Sequence, residues 1–77
     1  MTAPEPDCLY VFDTTTHALW AEETVLARGI PAEVVPAPAD AQAGCDLALR
    51  TTPDHRARLE EALTEEGVPY QRHVPRG

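Results

Sequence analysis

The chain contains no lysine, few aromatic residues and no long hydrophobic run. All six of its basic residues are arginine, against thirteen Asp and Glu, which leaves a net charge of -7 over 77 residues. So acidic a chain has no basic patch to follow a phosphate backbone, and one Trp, one Phe and two Tyr make no stacking platform for bases. Nucleic acid is therefore not an expected partner. Apolar stretches such as Cys8-Leu9-Tyr10-Val11-Phe12 are far too short to cross a bilayer, so no membrane association is expected. The opening Met1-Thr2-Ala3-Pro4-Glu5-Pro6-Asp7 lacks the basic and apolar regions of an export signal, and the expected location is cytoplasmic. With only two cysteines and no such signal, both thiols are expected to stay reduced. No Cys-x-x-Cys or His-x-x-x-His spacing occurs, so neither a metal site nor a cofactor is expected.

A chain of this length buries only roughly 60% of its unfolded surface and forms one domain with a modest core. Residues 1–7, with two prolines and two acids, read as a disordered lead-in, residues 8–74 as the domain and 75–77 as a frayed end.

Cys8 to Phe12 is rich in strand formers and ends in Asp13-Thr14-Thr15-Thr16, a cluster of helix N-cap residues. A helix over 18–28 follows, with Ala18, Leu19, Ala21, Val25 and Leu26 at helical spacing and Gly29 as its stop. Trp20 lies about one residue off that stripe, at the edge of the core or partly exposed. A second strand spans 30–35, and its early Pro31 marks a sheet edge. The connection over 36–44 is longer than a hairpin needs and leads into Cys45. From there a third strand over 45–51 sets Leu47 and Leu49 on one face and Asp46 and Arg50 on the other. Thr52-Pro53-Asp54 opens a second helix with His55, Leu59, Ala62 and Leu63 inward, and Glu60, Glu61, Glu65 and Glu66 form its solvated face. Gly67 stops it, and 68–74 supplies the fourth strand.

The stops repeat. Ala27-Arg28-Gly29-Ile30-Pro31 and Glu65-Glu66-Gly67-Val68-Pro69 match in kind and position, dividing the chain into two strand-helix-strand halves. Two such halves predict an α+β, ferredoxin-like βαββαβ fold: a four-stranded antiparallel sheet in the order 4-1-3-2 with two helices on one face. In that topology Cys8 and Cys45 lie at opposite ends of neighbouring strands. About five residues at ~3.3 Å each separate them by ~17 Å, where a disulfide tolerates at most ~7 Å between Cα atoms. Cys8 is expected only to pack.

The same topology brings Cys45 to the end of the sheet where strand one enters helix one, beside Asp13 to His17, and puts the start of strand four, around Val68, there too. A helix N-terminus favours a thiolate or persulfide anion, and His17 can tune such a thiol. Asp13 and Asp46 act the other way. The expected site is therefore Cys45 as the reactive thiol and His17 as its tuning residue, with Thr14, Thr15, Thr16 and Gly44 around them. Neither His55 nor His73 is read as a functional residue. A Cys-His-Asp hydrolase is disfavoured, because no substrate pocket or oxyanion loop is evident.

Several segments carry a family resemblance: Tyr10-Val11-Phe12, Thr14-Thr15-Thr16-His17-Ala18-Leu19, Glu22, Gly29-Ile30-Pro31, Val35-Pro36-Ala37-Pro38, Gly44-Cys45 and Leu47-Ala48-Leu49. In order and spacing the chain resembles the small bacterial family of selenium/sulfur carrier-like proteins, over roughly residues 9–70. The departures are Ala39, where the family pattern has Arg, and Asp46, where it has Gly. The resemblance implies a ferredoxin-like domain that carries sulfur or selenium on Cys45 as a persulfide or selenosulfide, a carrier rather than a turnover enzyme. Its partners would be a sulfur or selenium donor and an acceptor protein, and the carrier itself a monomer or weak homo-oligomer. The alternative is a non-catalytic interaction or regulatory module that pairs through Trp20, the 36–44 loop or the open sheet face, with Cys45 structural.

Overall fold

A computed structural model describes residues 8–38 and 46–73 of the chain. The expected lead-in, residues 1–7, and the expected frayed end, 75–77, lie outside the described residues, as do Gly44 and Cys45. In chain order the elements are β1 (Cys8–Val11), α1 (Thr15–Ala27), β2 (Glu33–Pro36), β3 (Leu47–Thr51), a 3-10 turn (Pro53–His55), α2 (Arg56–Glu66) and β4 (Gln71–His73). The strands form one antiparallel sheet in the order β2-β3-β1-β4, which is the ferredoxin-like α+β arrangement expected.

Register assigns the faces. Tyr10 pairs with Leu49, and Leu49 with Val34, so these side chains share one face. That face meets Ala18, Ala21 and Val25 of α1 and Leu59, Ala62 and Leu63 of α2 in a single core cluster. Both helices therefore cover the same side of the sheet. Cys8 carries a free thiol and packs partly buried against that cluster, in register with Thr51. On the other face, Val11 and its register partner Ala48 are also buried, so the alternation read along β3 is incomplete: Ala48 is shielded although it points away from the helices.

Both helices end in the same way. After α1, Gly29 at φ 71° lets its N–H reach the Leu26 carbonyl (3.0 Å) and the Ile30 N–H reach that of Val25 (3.0 Å). After α2, Gly67 at φ 76° repeats the pattern, with N–H bonds from Gly67 to Thr64 (3.1 Å) and from Val68 to Leu63 (2.9 Å). This paired hydrogen-bond closure needs a left-handed residue, and the apolar residue after each glycine, Ile30 or Val68, folds back into the core. The repeat visible in the sequence is thus a repeat of structure.

Several boundaries differ from expectation. α1 begins at Thr15 rather than 18, because Thr14 caps it and the threonines enter the first turn. The second strand starts at Glu33: Pro31 has no N–H for a ladder, and its carbonyl instead accepts a 2.7 Å bond from the Thr51 hydroxyl. β2 is an edge strand, as Pro31 suggested. The second helix opens with the 3-10 turn, for which Thr52 makes no side-chain cap. His55 is half-buried at the N-cap of α2 rather than fully inward.

The largest difference concerns α1. Leu19 and Leu26, expected in the core, are 48% and 51% exposed, with Trp20 at 40%. α1 carries more apolar residues than one face can bury. The small Ala18 and Ala21 allow the helix to approach the sheet closely, which leaves the bulky residues outside.

Candidate functional site

Of the expected site residues, Thr14 to His17 lie at the sheet end defined by Val11, Ala48 and Gln71, which are in register across β3, β1 and β4. Here β1 hands over to α1 within three residues. Thr14 makes the turn with extended backbone (φ -139°, ψ 156°), and its hydroxyl accepts the His17 amide at 3.1 Å. Its carbonyl accepts the Ala18 amide at 3.2 Å, the first bond of the helix. The amides of Thr15 and Thr16 stand in the first turn, where helix geometry supplies no intrahelical acceptor. Thr14, Thr15 and Thr16 are all exposed. This end of α1 therefore presents N–H donors and the positive end of the helix dipole.

His17 is half-buried, and its Nδ1 is buried without a hydrogen-bond partner. The imidazole is held beside the Trp20 indole, with ring centroids 6.4 Å apart at 47°.

Two carboxylates share this end. Asp13 follows β1 and Asp46 precedes β3, both exposed. Asp46 is tied to the β2 side by its carbonyl, which accepts the Ala37 amide at 2.7 Å. A groove of about 130 Å³ runs between Val11, Phe12 and Asp13 on one side and Pro69, Tyr70 and Gln71 on the other. The start of the fourth strand was expected at this end, and Pro69, Tyr70 and Gln71 bring it there.

Tyr70 is in turn fixed by the core. Its ring meets that of Tyr10 edge-on at 5.5 Å, and the Tyr10 hydroxyl donates to Glu60 Oε2 at 2.7 Å. Burial, then the hydrogen bond to Glu60 and the Glu60 charge, push the Tyr10 phenol far above its ordinary range, so it stays a neutral donor. Arg72 approaches the same Glu60 oxygen at 3.9 Å.

At the opposite end, Pro31, Ala32, Glu33, Arg50, Thr51 and Thr52 line a groove of about 300 Å³. The Arg50–Glu33 ion pair crosses it, and Cys8 is at this end through its pairing with Thr51. Cys8 thus belongs to the end of the sheet away from Thr14 and His17. Among the described residues no cluster of three or more His, Cys, Asp or Glu is arranged to hold a metal ion, and no helix is long and apolar enough to cross a membrane.

Residues 7–75 match the family described as "Putative Se/S carrier protein-like". The chain belongs to the Se/S carrier-like family. No curated protein and no solved structure matches it. For this Se/S carrier-like protein the match includes every strand, both helices and the expected thiol position within one span.

Proposed function

We propose that the protein is a sulfur or selenium carrier that holds the transferred atom on Cys45. The observation that carries this reading is the family match over residues 7–75, a span that contains Cys45. The geometry adds support. Cys45 is bonded to Asp46, and Asp46 stands at the sheet end that also holds the α1 N-terminus.

Loading is a thiol-persulfide exchange. The Cys45 thiolate attacks the terminal sulfur of a donor enzyme's cysteine persulfide, one S–S bond forms as the donor's S–S bond breaks, and the donor sulfur leaves as a thiolate. The proton given up by Cys45 balances the one the donor thiolate regains, and no net oxidation occurs. An acceptor thiolate then takes the terminal sulfur by the same displacement, and a selenium atom would follow the same course. First-turn amides of α1 favour the terminal anion, and His17 offers a nitrogen without a partner. Asp13 and Asp46 oppose the anion, so thiol activation has to come from the amides and the imidazole.

The test is loading by a cysteine desulfurase supplied with cysteine, read by intact mass. Addition of one sulfur, reversible by a thiol reductant, retained in Cys8→Ala and lost in Cys45→Ala, is the expected result. Absence of the adduct under conditions that load a known carrier would overturn the proposal, as would its persistence in Cys45→Ala.

A further inference from the structure

The outer side of α1 is a second apolar face. At 100° per residue, Leu26, Leu19, Glu23, Ala27 and Trp20 fall in that order within about 120° of arc, opposite the face that meets the sheet. Leu19, Trp20 and Leu26 are the three exposed large hydrophobic residues among those described, and all three lie on this stripe. Beside it, Trp20, Glu23, Thr24, Ala27 and Arg28 form a groove of about 240 Å³ closed by Glu66 of α2.

The rim is acidic. Arg28 is bound to Glu65 at 2.5 Å, and the charges of Glu66 and Glu61 also act on its guanidinium. Glu23, in the middle of the apolar stripe, adds another carboxylate. A face of this kind selects a partner with an apolar stripe of its own flanked by Lys or Arg, whose cation can also sit on the Trp20 indole. A second copy fits poorly: a two-fold contact would set Glu23 against Glu23 and join two molecules of charge -7. An anionic membrane surface is repelled for the same reason.

We infer that the α1 stripe, with its acidic rim, is a docking surface for a basic amphipathic helix of a partner protein. It begins within one helical turn of His17, so a partner seated there borders the end of the sheet assigned to sulfur transfer. That last link rests on the carrier reading; the docking surface does not.

Trp20 is the only tryptophan in the chain and reports directly. The probe is a synthetic helical peptide of Leu and Lys in amphipathic spacing, with its Leu/Glu counterpart as control, titrated against the full chain. A saturable blue shift of Trp20 emission with the Leu/Lys peptide alone is expected. Glu23→Lys, Glu66→Lys and Leu19→Asp should each weaken it about tenfold, while Asp54→Lys, the same charge change on another exposed surface, stays within about twofold. Equal weakening by Asp54→Lys would mean that only net charge attracts the peptide, and would overturn the assignment. So would equal binding of the Leu/Glu peptide, or concentration-dependent dimerisation of the protein alone with Trp20 shielded. Sulfur loading of Cys45 is measured separately, so either proposal can fail without the other.

Discussion

Replacing Tyr10 by Phe removes one buried hydroxyl and should change the alkaline stability of the fold. The side chain is completely buried, its ring braced by Tyr70 and its hydroxyl bound to Glu60. At neutral pH the variant loses a hydrogen bond to a carboxylate that remains partly hydrated, a cost of about 1 kcal/mol. The phenol keeps its proton in the folded state because its ionisation is pushed far upward by burial and Glu60, whereas in the unfolded chain it ionises near pH ~10. Its contribution is therefore fully present below pH ~10. Above that, the unfolded state releases a proton that the folded state retains, and wild-type stability falls by ~1.4 kcal/mol per pH unit from this group. Tyr10→Phe lacks the effect. In urea titrations followed by Trp20 fluorescence, the gap between wild type and variant should be constant from pH 7 to 9 and close or reverse by pH 11. A gap unchanged at pH 11 would refute the reasoning, because it would mean that the Tyr10 phenol ionises equally in both states.

Gly29→Ala and Gly67→Ala should each cost about 1 kcal/mol by chemical denaturation: an added Cβ meets nothing within 4 Å at either position, so the cost is the left-handed backbone itself. A variant with unchanged stability would show that its turn is not left-handed. Leu63→Ala, at a fully buried position, should cost ~2–5 kcal/mol, whereas Leu19→Ala on the outer stripe should stay within about 0.5 kcal/mol. Comparable losses in the two variants would put Leu19 back in the core.

Much of the fold is local chemistry and was legible in order along the chain. Asp13 to Thr16 announce a helix start, the glycines at 29 and 67 followed by an apolar residue and proline announce two equivalent stops, and Pro31 announces an edge. Each works through the backbone of its own few residues, so no distant contact is needed to read it. The family resemblance was legible for a similar reason, since it rests on the order and spacing of short segments along the chain.

The candidate site was only half legible. Thr14 to His17 and the start of the fourth strand were expected at one end of the sheet because topology follows from element order, and the described elements put them there. The particular side chains of Pro69, Tyr70 and Gln71 that line the groove were not singled out, because which of them face Phe12 and Asp13 depends on packing between segments some sixty residues apart. Cys45 and Gly44, on which the site reading depends most, lie outside the described residues. Periodicity alone likewise did not decide which side of α1 is buried, since Leu19, Trp20 and Leu26 compete with Ala18, Ala21 and Val25 for one sheet face. The tertiary structure decided it: a close helix-sheet contact uses small side chains, and the bulky ones are left as an exposed stripe. The sequence by itself thus determined the kinds of element, their order and their stops, which short-range backbone chemistry controls. Only the tertiary structure decided the outward face of α1, the Tyr10–Glu60 bond across fifty positions and the shielding of Ala48, because each depends on which surfaces meet when the chain closes.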